Sequence, residues 1–252
     1  MIEPSAFFFP FAKTLAETYA PEVVGGSSLV AIIYSILATK DPIQIHFPIK
    51  TTTTEVWIRF GDLFEADGHV VIAVNEFFDS EIGRPVAPSS VHGQFITRVL
   101  GGNANRFNAD VDRSLDGTAS DIVDRPEGRP RRYPLGTTAI LHEGRRKYFL
   151  FALTKTDPVT CEANADVPQM WSALLKLWDC VRVEANGERV CMPLIGAGLA
   201  RINLEPTHLL RLALLSLLVQ TRSRTITSQI EIVLHKSLIG RIDLRAVRDD
   251  WR

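Results

Sequence analysis

Short apolar runs alternate with amphipathic stretches along the second half of the chain. Runs at 69–74, 147–153, 190–195 and 230–234 are almost continuously apolar, which is typical of strands covered on both faces. Apolar residues recur with the helical period at 166–181 and 205–219. Strands that alternate with helices in this way predict parallel pairing within a layered α/β domain.

The first half of the chain favours strands that are linked by hairpins. Residues 43–48 and 55–60 alternate between apolar and polar positions, and 137–141 and 147–153 predict two strands joined across the short segment 142–146. Residues 89–100 predict a helix with Ser90 at its cap. Together these elements predict a three-layer α/β/α domain with a mixed central sheet, in which ligands bind beyond the carboxyl ends of the strands.

Residues 101–132 differ in composition from the segments on either side. They are rich in Asn, Asp, Arg, Gly and Pro and contain few large apolar residues. We predict a long loop with one short helical turn. A loop of this length is usually either functional or disordered.

The N-terminal 42 residues form a separate segment, and 43–252 form the predicted domain. Residues 27–38 carry no charge, and the apolar stretch is shorter than the roughly 20 residues that a bilayer span needs. It also lacks the basic start of a signal peptide. Two interpretations stay open, a helix or hairpin packed in solution and a segment that associates with a membrane or with other copies.

Composition excludes several classes of function. The net charge is −1, so there is no electrostatic footprint for nucleic acid. The three cysteines are odd in number and without metal-binding spacing, which favours a reducing cytoplasm. We predict no metal site and no cofactor.

The most informative motif is the glycine loop at 193–201, Pro-Leu-Ile-Gly-Ala-Gly-Leu-Ala-Arg. Glycines at the end of a strand let backbone N–H groups approach a ligand closely, and an anionic phosphate suits such a nest. The Arg201 guanidinium adds a second element that matches phosphate geometry. A tight strand-to-helix turn without a ligand is the alternative explanation.

Phe60-Gly61-Asp62-Leu63 follows the strand pattern at 55–60, the strand pattern at 71–75 ends in an asparagine, and 193–198 has the pattern Pro-x-x-Gly-x-Gly. In their order and spacing these three motifs resemble the early-strand motif, the next strand and the second phosphate-binding loop of the macro domain family, which binds ADP-ribose and its relatives. The segments 60–64, 75–79, 90–96, 136–137, 152–154 and 193–201 are similar to the macro domain of Thoeris antiphage effectors.

The resemblance assigns roles to particular residues. It implies that Asp62 accepts a hydrogen bond from the adenine amino group, with Leu63 as part of the adenine wall. Asn75 either binds a ribose hydroxyl or fixes a loop. The remaining candidates are the residues near the start of the predicted helix and those of the glycine loop, namely Ser90, His92, Gly93, Gly196, Ala197, Gly198, Leu199 and Arg201.

The resemblance implies a receptor without catalysis, which senses an ADP-ribose-derived signal made from NAD by a partner TIR-domain enzyme. We expect a homo-oligomer that is cytoplasmic or associated with the inner face of the cell membrane. The alternatives are an ADP-ribosyl hydrolase and a structural or interaction protein. Hydrolysing macro domains carry a second asparagine and a glycine run, whereas this chain has Phe78, Asp79 and the segment 89–93 there, which weakens the case for hydrolysis.

Overall fold

The structure is a computed structural model that describes residues 29, 31, 42–198, 200 and 202–251. The predicted N-terminal apolar segment therefore lies outside the described residues, except for Leu29, Ala31 and Pro42. Leu199 and Arg201, two of the predicted site residues, also lie outside them. Within the described part of the chain, no helix is both long enough and apolar enough to cross a membrane.

The domain is organised around one large sheet. Its strands are β1 (Gln44–Pro48), β2 (Glu55–Phe60), β3 (His69–Asn75), β6 (Thr138–Glu143), β7 (Arg146–Thr156), β8 (Ala163–Asn164), β9 (Val190–Pro193) and β10 (Gln229–Leu234). A separate two-stranded ribbon consists of β4 (Asp121–Ile122) and β5 (Arg131–Arg132).

The strand order β1-β2-β10-β9-β3-β7-β6 makes this sheet mixed, as predicted. The five central strands, from β2 to β7 in this order, are parallel. The outer strands β1 and β6 are each antiparallel to their neighbour, because short hairpins connect them. All five parallel strands therefore end at the same edge of the sheet.

Five helices cover the sheet in the described residues, α1 (Val91–Arg98), α2 (Ala104–Ser114), α3 (Val167–Glu184), α4 (Pro206–Ser223) and α5 (Leu244–Asp250). Buried side chains of α3, α4 and α5 share one apolar cluster with one face of the sheet. Those of α1 and α2 share a second cluster with the other face. The predicted three-layer α/β/α architecture is confirmed.

Helix α3 illustrates how local signals and packing agree. Asp166 Oδ1 accepts a hydrogen bond from the Gln169 backbone N–H, and Gln169 Oε1 accepts one from the Asp166 backbone N–H, which completes a capping box. Further along the helix, Trp178 is fully buried and its Nε1–H donates to Ser216 Oγ of α4 at 3.0 Å. The two helices are thus joined by a satisfied polar contact within an apolar layer.

The prediction of a long loop at 101–132 with one short helical turn was wrong. Helix α2 occupies eleven of these residues, and the ribbon strands β4 and β5 occupy four more. Three apolar residues of the helix and its C-cap, Phe107, Val111 and Leu115, recur at intervals of four and are buried against the sheet. Asn103 caps the helix by accepting from the Arg106 N–H at 2.9 Å. Three apolar side chains at helical spacing were sufficient to hold α2 against the sheet, because the sheet supplies the rest of the core.

Candidate functional site

A cleft of about 450 Å³ opens at the carboxyl edge of the parallel strands. The ends of β3, β7 and β9 form its floor, the residues that lead into α1 form one wall, and the glycine loop after β9 forms another. Of the predicted site residues, it brings together Asn75, Ser90, His92, Gly196 and Gly198. Asp62, Leu63, Gly93 and Ala197 are not among the residues that line it.

Glycine occupies two positions of the loop for different structural reasons. Gly196 has φ +85°, and a Cβ atom there would come within 2.9 Å of Ile202 Cδ1 and 3.2 Å of Leu209 Cδ2. The left-handed backbone at this position favours glycine, and a Cβ atom would also displace the end of the Ile202 side chain in the apolar layer beneath the loop. Among the described residues, a Cβ atom on Gly198 would meet no atom within 4 Å, and this residue is exposed and borders the cleft. Gly198 therefore leaves room on the cleft side of the loop.

The start of helix α1 forms the wall that carries Ser90 and His92. Ser90 caps the helix, because its Oγ accepts from the Gly93 N–H at 2.9 Å and donates to the Ala87 carbonyl at 2.7 Å. A Cβ atom on Gly93 would lie 2.3 Å from the Ala87 oxygen. Gly93 thus allows the close packing of this wall, and its N–H is already engaged. The two preceding residues, Val91 and His92, open the first turn of the helix, where N–H groups lack an intrahelical acceptor and favour an anion.

His92 is a buried, neutral imidazole that borders the cleft. The residue is 6% exposed, and within the described residues its Nε2 atom is buried without a hydrogen-bond partner. Burial lowers the pKa of His92 to about 3. Its ring centroid lies 5.3 Å from that of Phe107 on α2. At neutral pH this side chain therefore provides no positive charge and no proton for acid catalysis, but it can form neutral hydrogen bonds.

Asn75 is largely committed to the loop that follows β3. Its Oδ1 accepts from the N–H groups of Phe77 and Asp79, at 3.3 and 3.2 Å, and its Nδ2 donates to Asp79 Oδ2 at 2.8 Å. Of the two roles that the sequence left open, loop fixation is thus present in the structure. One amide hydrogen of Asn75 still faces no recorded acceptor among the described residues.

Asp79 occupies the centre of a buried ionic cluster. Its carboxylate accepts from Arg125 Nη1 at 3.0 and 3.1 Å and from the Arg129 N–H at 2.7 Å, and the side chains of both Asp79 and Arg125 are 0% exposed. The Arg125 guanidinium also lies 4.1 Å from the centroid of the Phe77 ring. These contacts fix the segment around 125–129 to the sheet edge, and they keep the Asp79 carboxylate out of the cleft.

Asp62 lies at the same sheet edge, after β2, but in a different environment. Its Oδ1 accepts from the Phe64 N–H at 2.9 Å and its Oδ2 contacts Arg98 Nη1 at 2.8 Å. Burial, the largest single influence, raises the pKa of Asp62, but the Phe64 N–H, Arg98 and the charge of His235 together lower the pKa below its usual value. The adjacent Leu63 is buried and begins the short 3-10 turn that Asp62 caps.

The predicted site omitted several of the residues that line the cleft, among them Thr154, Cys161 and Glu162. Thr154 was quoted in a motif but given no role, and it lies beside Asn75 in the strand register. The other two come from the loop that leads into β8, which returns to the edge of β7. No local pattern marks them, because only the pairing of β8 with β7 brings this loop to the cleft.

Among the described residues that line the cleft, three have ionisable side chains, namely His92, Cys161 and Glu162. No lysine or arginine occurs in that set, so backbone N–H groups are its principal anion-binding elements. Among the described residues, no group of three or more His, Cys, Asp or Glu side chains is arranged to hold a metal ion.

Comparisons with known proteins agree with this architecture. The family model described as Thoeris protein ThsA, Macro domain, matches residues 56–235. The fold is similar to the Oceanobacillus iheyensis macrodomain solved with ADP, with 12% identity, 82% of this chain and 97% of that chain covered, and a TM-score of 0.54. A mutant of the same macrodomain solved with ADPR gives 13% identity, 82% and 99% coverage, and a TM-score of 0.54. No curated protein matches the chain.

Proposed function

Because the chain belongs to the family of the Thoeris ThsA macro domain, we propose that its cleft is a receptor site for an ADP-ribose-type nucleotide. One observation carries this proposal. A glycine loop with an open ligand side borders the same cleft as the free first turn of α1, so two sets of backbone N–H groups are available to one anion.

In this proposal the diphosphate lies between these two walls. The N–H groups of Gly196, Ala197 and Gly198 approach it from one side, and those of Val91 and His92 from the other. Leu199 and Arg201 complete the loop. Asp62 accepts from the adenine amino group, and the unengaged amide hydrogen of Asn75 is available to a ribose hydroxyl.

We favour a receptor over a hydrolase because the cleft has few groups that could activate water. Asp79 stands near the position where hydrolysing relatives carry a second asparagine, and its carboxylate is consumed by Arg125 and Arg129. His92 is uncharged at neutral pH since burial lowers its pKa to about 3. General acid–base catalysis needs a group whose pKa is close to the working pH.

The family suggests the biological setting of this receptor. The nucleotide would be a signal that a partner TIR-domain enzyme makes from NAD during antiphage defence. Residues 1–42 would act on other copies of the chain or on the inner face of the cell membrane once the ligand is bound. A ligand can drive such a response only through a difference in its affinity for two states of the protein.

Isothermal titration calorimetry with ADP-ribose, cyclic ADP-ribose isomers and histidine-conjugated ADP-ribose tests the proposal. We expect at least one of these ligands to bind saturably and to be recovered chemically unchanged. Gly198→Glu should abolish binding, because the new carboxylate enters open space beside the phosphate position. Ala119→Glu, at an exposed position that does not line the cleft, is the charge-matched control and should bind normally. Absence of binding across the panel would refute the proposal, and conversion of the ligand would identify a hydrolase.

A further inference from the structure

The guanidinium of Arg98 forms a layered arrangement with two residues of the loop after β2. Its central carbon lies 4.7 Å from the centroid of the Phe64 ring, and its Nη1 lies 2.8 Å from Asp62 Oδ2. A weak contact to Gln94 Oε1, at 3.4 Å, lies along the same helix. Although the Arg98 guanidinium contacts both Asp62 and Phe64, the Arg98 side chain is still 42% exposed.

This arrangement leaves part of the Arg98 surface exposed. A guanidinium is planar and stacks on aromatic faces, so its contact with Phe64 uses one face and leaves the other available. Arginine planes commonly stack on nucleic-acid bases. Asp62 Oδ2 has two lone pairs, of which Arg98 uses one, and the second can accept from an exocyclic amino group.

Helix α1 connects this surface to the cleft. Its first turn carries the free N–H groups at Val91 and His92, and Arg98 is its last residue. With a rise of about 1.5 Å per residue, eight residues extend over about 12 Å. One helix therefore presents an anion site at one end and a stacking surface at the other.

We propose that Arg98 is the platform on which a purine stacks, and that its ion pair orients Asp62 to accept from the purine 6-amino group. This inference rests on the proposed function, and it adds a residue that binds the base and positions the carboxylate that selects it. Phe64 supports the platform from below and fixes the plane of the guanidinium. A ligand with a 6-oxo group loses the hydrogen bond, since two acceptors would then face each other.

Calorimetry with two probes tests this role, namely ADP-ribose and its 6-oxo analogue, inosine diphosphate ribose. We expect the wild-type protein to bind ADP-ribose at least about tenfold more tightly than the analogue. Arg98→Ala should weaken ADP-ribose binding by about tenfold or more and reduce the discrimination between the probes. Arg98→Lys keeps the charge without the plane and should resemble Arg98→Ala.

Arg106→Ala is the matched control, because Arg106 is a 41% exposed helical arginine paired with Glu143 outside the cleft. It should leave both affinities unchanged, and the thermal stabilities of the Arg98 and Arg106 variants should be similar. Unchanged or tighter ADP-ribose binding by Arg98→Ala would overturn the platform. If the wild-type protein binds neither probe nor any other ligand of the panel, the receptor proposal itself fails.

Discussion

The buried pair of Asp79 and Arg125 gives the sharpest prediction about stability. Arg125→Met removes the cation and leaves the Asp79 carboxylate fully buried, with only the Arg129 N–H and the Asn75 amide as donors. Removing one partner of a buried ion pair costs about 3–5 kcal/mol, because the remaining charge stays out of water. Because two hydrogen-bond donors to the Asp79 carboxylate remain, the expected loss of unfolding free energy lies near the lower limit, about 3 kcal/mol.

Urea denaturation followed by circular dichroism measures this loss as a shift of the midpoint at constant slope. The double variant Asp79→Asn/Arg125→Met should lose less than the sum of the two single variants, since neither charge is then left unpaired. Arg132→Met serves as the control, because Arg132 and Asp121 form an exposed pair and its loss should cost at most about 1 kcal/mol. A cost below about 1 kcal/mol for Arg125→Met would refute the reasoning.

Three further predictions concern the wall at α1. The pKa of His92 is lowered by burial from 6.5 to about 3, so protonation favours the unfolded state and stability falls as the pH drops below 6.5. Between pH 7 and pH 5, the free energy of unfolding of His92→Gln should therefore fall by about 2 kcal/mol less than that of the wild-type protein, measured by urea titration at both pH values. Ser90→Ala removes the cap and should cost about 1 kcal/mol in the same assay; no change would contradict its capping role. Gly93→Ala places a Cβ atom 2.3 Å from the Ala87 oxygen, so it should lower the melting temperature by several degrees and weaken ligand binding, and wild-type values for both would contradict the packing.

Much of the site was predictable because its signals are local. Ser90 precedes an apolar helical pattern, and its capping of α1 is confirmed. The glycines of the 193–201 loop follow a buried strand, and Gly196 and Gly198 border the cleft. The order of the motifs also indicated the macro fold, because each one follows the end of a parallel strand.

The sequence by itself determined most of the elements, several of their caps and the loops that follow the strands, since periodicity and capping depend on residues within one or two turns of each other. Only the tertiary structure decided which distant side chains meet. Arg125 reaches Asp79 from 46 positions away, and Arg98 reaches Asp62 because α1 packs across the loop after β2. Helix α2 likewise depends on the sheet that covers its apolar face. Such contacts depend on how distant segments of the chain pack together in the folded protein, which no local sequence pattern encodes.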